Sequence, residues 1–78
     1  MEIKCIVGCI DAGGDPDFQL VVIENLTKED YDDGIHYDYA KDLVEVNGFE
    51  PRFVCDEHDA GFETIRGHDL DWSTALTR

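Results

Sequence analysis

The sequence predicts an α+β fold: an antiparallel sheet of four to five strands with one helix between the second and third, in ββαββ order. Three observations carry that prediction. Two alternating apolar runs, residues 2–11 and 17–26, are joined by a short Gly/Pro/Asp segment that reads as a hairpin. From Thr27 the apolar spacing lengthens from two residues to three and four, the period of a helix. After Pro51, short alternating runs return. Elements in that order build a sheet with a helix packed on one face.

The first strand places Ile3, Cys5, Val7 and Cys9 on one face and Lys4, Ile6, Gly8 and Ile10 on the other. Both faces are substantially apolar, as in a strand covered on both sides. Ala12-Gly13-Gly14-Asp15-Pro16 is dense in turn residues. The second strand sets Phe18, Leu20 and Val22 on one face and Val21 and Ile23 on the other. Thr27 is the expected helix N-cap, followed by Glu29 and Asp30 in a first turn where carboxylates complement the helix dipole. Tyr31, Ile35, Tyr39, Leu43 and Val46 form the expected core stripe, widened by Ala40 and Val44. Gly34 interrupts it, marking a kink or a separate first turn, and Asn47-Gly48 ends the helix. Residues 52–56 and 62–65 read as the third and fourth strands around a turn at 57–61. In the tail, Leu70, Trp72, Thr74 and Leu76 alternate as in a strand, while residues 73–76 also fit one helical turn. One helix covers only one sheet face. The other, expected around Ile6, Ile10, Val21 and Ile23, calls for a cover: the segment around Leu70 and Trp72, or a second copy in a homodimer.

Composition narrows the function. Nineteen acidic residues stand against six basic ones, a formal charge of −13 on 78 residues. An ordinary small domain carries a net charge of roughly 2–8 in magnitude. Such a surplus argues against direct binding to nucleic acid, which needs Lys and Arg on the phosphates, and against an anionic membrane face. It favours a basic protein surface as partner, a metal ion, or simple solubility. Hydrophobic residues at 42% are too many for the disordered class, and the chain is expected to fold as a single domain, 1–78. The apolar stretch of residues 5–10 is too short for a leader and is preceded by an acidic Glu2. No run approaches the ~18 apolar residues of a membrane span. Three cysteines without a scaffold-like spacing point to a reducing, cytoplasmic location.

The helix carries the charge. Asp38, Asp42 and Glu45, spaced i, i+4, i+7, share a face, and Asp30 and Asp33 are similarly adjacent. Neighbours at these spacings lie about 5–6 Å apart, on the scale of phosphates along a nucleic-acid strand. Such a carboxylate ladder suits a basic groove built for DNA or RNA, although a solvated acidic face has the same pattern. In length and charge the chain resembles the small acidic DNA-mimic inhibitors of phages and mobile elements, a likeness of type without a shared motif. The leading expectation is therefore a small non-enzymatic binding protein without a cofactor. Its partner residues would be Asp30, Asp33, Asp38, Asp42 and Glu45, set against a basic, nucleic-acid-binding protein.

Two other chemistries are open. Cys5, Cys9, Cys55 and His58 supply a Cys3His set of the kind structural zinc prefers. On a regular strand, however, Cys5 and Cys9 lie about 13 Å apart, so chelation needs a bulge or turn at Gly8. Cys55 and His58 are also a potential nucleophile and base, with Asp56, Glu57 and Asp59 as orienting groups. Acidic neighbours would disfavour the thiolate. Gly8-x4-Gly13-Gly14-Asp15 lacks the Lys and Ser/Thr of a phosphate loop, and Asp11, Asp15 and Asp17 read as hairpin-turn residues.

Overall fold

A computed structural model describes all 78 residues. Strands β1 (Ile3–Ile10) and β2 (Pro16–Ile23) form the expected hairpin, with Cys5 opposite Val21 and Gly8 opposite Phe18. Helices α1 (Lys28–Asp32) and α2 (Ile35–Val46) follow, then β3 (Glu50–Asp56) and α3 (Ala60–Thr64). Two 3-10 turns, Gly67–Asp69 and Trp72–Thr74, lead to a two-residue β4 (Leu76–Thr77). The sheet order is β3-β1-β2-β4.

The α+β class therefore holds, with three corrections to the finer expectation. First, the sheet is mixed: β4 runs parallel to β2, pairing Leu76 with Val21 and Thr77 with Val22. Second, there are three helices where one was expected. Gly34 takes a left-handed φ of 73°, which ends α1 and starts α2 as a separate helix. Third, residues 62–65 are not a strand. They fall in α3 and its cap, where Phe62 and Ile65, expected within an alternating run, have the i, i+3 spacing of a helical turn. In the tail both readings hold in part, a 3-10 turn at 72–74 followed by a short strand.

The main core lies between α2 and the sheet. Ile3, Cys5, Val7, Cys9, Val21 and Ile23 meet Leu26, Ala40 and Val44 there. Register explains why Val21 and Ile23 are on this side and not on the open face where they were expected: they stand opposite Cys5 and Ile3. The buried stripe of α2 is also rotated from the predicted one. His36, Ala40 and Val44 are buried, Tyr39 and Leu43 half-buried, and Val46 is 79% exposed. The predicted stripe started at Tyr31, but helical phase is not carried across the left-handed Gly34.

On the other sheet face, α3 and the 3-10 turns cover half of β1. Phe62 and Ile6 are both buried, and Phe62 stacks on Trp72 with ring centroids 5.8 Å apart. The Trp72 indole N–H donates to the Gly67 carbonyl at 2.8 Å, and Lys4 lies over the indole. Gly67 has to be glycine-sized, because a Cβ there would sit 2.5 Å from the Phe62 ring. The other half of this face is lined by Ile10, Pro16, Phe18 and Phe53, around an open groove of about 280 Å³. Phe53 lies flat across Gly8, where a Cβ would be 2.2 Å from its ring, and meets Phe18 edge-on.

Candidate functional site

The acids of the helices divide into two groups with different local explanations. On α1, the Thr27 hydroxyl accepts the Asp30 amide N–H at 3.1 Å, so the chain is capped as predicted. Glu29 and Asp30 occupy the first turn, where a negative charge is favourable, and Lys28 pairs with Asp32. Asp33 is the C-cap beyond them. Helix formation alone accounts for much of this acidity.

The α2 acids have less local reason to be there. Asp38 lies in the first turn, but Glu45 is in the last turn, beside the negative end of the dipole, with no basic residue there. Asp38, Asp42 and Glu45 are all exposed and none makes an ion pair; Lys41, the only lysine or arginine on α2, pairs with none of them. At 100° per residue they lie opposite the buried His36–Ala40–Val44 stripe, a continuous outward strip of negative charge. Across the chain only Asp32, Glu50, Asp56 and Asp69 of the nineteen acids have a basic partner. The structure thus groups Asp38, Asp42 and Glu45 on one face, and Gly34 separates them from Asp30 and Asp33 on the preceding helix.

Unscreened repulsion among fifteen unpaired carboxylates destabilises the fold, and exposed charges are screened over about 10 Å at 0.1 M salt. Thermal melts are expected to shift upward from low to moderate sodium chloride. Relief on the order of 1 kcal/mol corresponds to roughly 5 °C in a domain of this size. A melt that ignores salt would contradict this picture of the surface.

A buried polar cluster not identified from the sequence lies at the junction of α2 and β3. The His36 imidazole is buried and its Nε2 lies 2.8 Å from Asp56 Oδ2. Tyr31 stacks on one side of the imidazole and Tyr37 lies tilted against it, at centroid distances of 4.9 and 4.3 Å. The Tyr37 hydroxyl is 2.7 Å from Asp59 Oδ2 and 3.1 Å from Asp56 Oδ2, so one proton serves two carboxylates. The amide N–H groups of Asp56 and His58 donate to Asp59 and Asp56 respectively. Burial alone would raise the Asp56 pKa, but hydrogen bonds from His36, the His58 amide and Tyr37 outweigh it and hold the carboxyl below its ordinary value. Burial and the two carboxylates push the Tyr37 phenol well above its usual range. His36 Nδ1 is buried without a partner. The cluster ties both helices to the β3–α3 corner, and its groups are turned into the fold. That is the arrangement of a structural clasp.

The Cys3His set does not assemble. Cys5 and Cys9 point into the core beneath α2, whereas Cys55, opposite Ile6, faces the other side of the sheet. The irregularity near Gly8 does not help, because the extra residue, Arg52, is in β3 and β1 continues straight. No three His, Cys, Asp or Glu side chains converge in metal-binding geometry. Cys5 is a core residue whose thiol is pushed up to about 12, by burial first and by Asp56 and Asp59 next. Cys55 and His58 are not paired either. The Cys55 sulfur lies against Gly61, and the His58 ring lies edge-on to Tyr31 on the helical side. Burial and the neighbouring Asp59 and Asp56 raise the Cys55 thiol, which disfavours the nucleophilic thiolate.

No family model matches the chain, and comparison with curated proteins and with solved structures yields no match. No helix is long and apolar enough to cross a membrane.

Proposed function

We propose that this chain is a small non-enzymatic binding protein that presents the acidic outer face of α2 to a basic surface on another protein. One observation carries the reading. Asp38, Asp42 and Glu45 are exposed and unpaired, and Glu45 stands where its charge weakens its own helix. Residues that oppose local stability without a compensating contact are where function is expected. The partner's basic surface is one that otherwise holds nucleic-acid phosphates, because carboxylates at about 5–6 Å intervals satisfy the same lysines and arginines. Asp30 and Asp33 on α1 add to the long-range field that draws such a partner in.

The test is the triple substitution Asp38→Asn, Asp42→Asn, Glu45→Gln. It keeps size and hydrogen-bonding capacity and removes like-charge repulsion, so the variant is expected to fold at least as well as the parent. Affinity capture from the native host with both chains as bait should recover a basic protein with the parent only. Association with that protein should slow about 10- to 1,000-fold in the variant, the range of electrostatic steering. DNA or RNA should displace the parent from it. A partner whose affinity ignores the triple change, salt and nucleic acid would overturn the reading.

A further inference from the structure

Val46 is the most exposed large apolar side chain in the molecule, at 79%, and it lies on the last turn of α2 immediately beside the acidic strip. Helical phase places it between Asp42 on one side and the half-buried Tyr39 and Leu43 on the other. Together with Arg78 these residues line an open hollow of about 230 Å³, room for one large side chain. The Arg78 guanidinium stacks on the Tyr39 ring, 3.6 Å from its centroid, and makes no ion pair with Asp42. The hollow therefore has an apolar floor with the still-charged Arg78 at one edge and Asp42, the near end of the acidic strip, at the other.

We propose that this hollow is the anchor point of the interface, and that it receives an apolar side chain flanked by lysines or arginines on a basic protein segment. The inference rests on the acidic-face reading and adds what sort of basic partner is chosen. Charge complementarity identifies the occupant. Three carboxylates, Asp38, Asp42 and Glu45, against the one guanidinium of Arg78 leave the surroundings of the hollow negative and favour a positively charged segment, while Val46, Tyr39 and Leu43 reward one that carries an apolar residue among its bases. A second copy of the chain would bring the same carboxylates against each other, so it is not the occupant. The division of labour follows interface physics: exposed rim charges set the on-rate and its salt dependence, and a desolvated apolar centre sets the off-rate. A pure phosphate mimic needs no such centre.

Three peptides test it against the intact chain: a short lysine peptide with one central leucine, its twin with serine in place of leucine, and the all-lysine peptide. Binding is followed by titration at low salt and at 0.5 M sodium chloride, with the Val46 and Leu43 methyl signals observed by NMR. The leucine peptide is expected to bind about tenfold tighter than its twin, as burial of one aliphatic side chain allows. That advantage should persist at high salt, with saturating shifts at Val46, Leu43 and Tyr39. Val46→Ser, a change at an exposed position, should abolish the advantage and leave all-lysine binding unchanged. Equal affinity for the leucine and serine peptides, with small shifts spread over all acidic residues, would mean counterion association only and overturn the anchor. A leucine advantage that survives Val46→Ser, with shifts at Phe18 and Phe53, would overturn it too by moving the contact to the opposite sheet face. Either result leaves the acidic-face reading standing. That reading fails separately, if the Asp38/Asp42/Glu45 triple variant binds the all-lysine peptide as well as the parent does.

Discussion

Replacing Phe62 with alanine is expected to cost about 3–5 kcal/mol, the range for removing a buried aromatic side chain. Phe62 is 1% exposed, stacks on Trp72, meets the His68 ring edge-on and packs where Gly67 leaves room for it. It sits on the sheet face opposite the main core, so neighbours from α2 cannot collapse into the space. Total stability for 78 residues is on the order of 4–12 kcal/mol, so the variant loses a large fraction of it. Urea unfolding should show a much lower midpoint. Ending the chain after Asp69 should act similarly, because it removes Trp72 from Phe62, Leu70 from beside Leu20, and β4 from the β2 edge at Val21 and Val22. That shortened chain should bind a hydrophobic dye or aggregate. A loss below about 1 kcal/mol for Phe62→Ala would show that α3 and the turns merely rest on the sheet.

The covered second face was legible in the sequence; the identity of its cover was legible only in part. Ile6 and Ile10 on the face away from Cys5 and Val7 announced that β1 is apolar on both sides. Trp72 announced that the tail has something to bury. Phe62 did not announce itself, because residues 62–65 are too few to separate a period of two from a period of 3.6. The tail also covers only the Lys4–Ile6 half, leaving Phe18 and Phe53 half exposed at the other end. Strand faces were read correctly within each strand, since alternation is local. Which face of β2 joined which face of β1 was not, since that depends on hairpin register.

Of the site, the charged strip was legible because i, i+4, i+7 spacing within one helix is a local property. The break at Gly34 was visible as a glycine, but its consequence was not. It resets helical phase, so Tyr31 could not predict the buried stripe of α2, and Val46 passed for a core residue when it is the most exposed apolar one. The buried cluster was hidden for another reason. His36 and Asp56 are twenty residues apart and meet only when α2 packs on the β3 edge of the sheet. In the sequence, His36 is simply a polar residue four positions before Ala40. The period His36–Ala40–Val44 was the one available signal, and it implied a histidine facing the core.

That histidine carries the other large expected effect. His36→Leu fills similar space but removes the Nε2 partner of Asp56, leaving a buried carboxylate held by the His58 amide and a shared Tyr37 proton. Leaving a buried carboxylate without its closest hydrogen-bond partner typically costs about 1–3 kcal/mol, and more for a charged group, so this variant should lose a large part of its stability. Asp56→Asn, which keeps an acceptor but not the charge, should cost less, and the double variant should cost less than the sum of the two. The pH dependence gives the same pair a second reading. The Asp56 carboxyl is held below its ordinary 3.8 in the folded protein. The stability it contributes is thus fully present above about pH 4 and is lost as pH falls through the folded value. Acid should therefore remove this contribution as pH falls below about 4, even though protonating the surface carboxylates relieves repulsion over the same range. Asp56→Asn should lack this acid-sensitive component, so its stability should hold level or rise below about pH 4, where that of the parent falls. If the two chains lose stability in parallel over that interval, acid sensitivity resides elsewhere and the clasp between α2 and β3 is weaker than its geometry indicates.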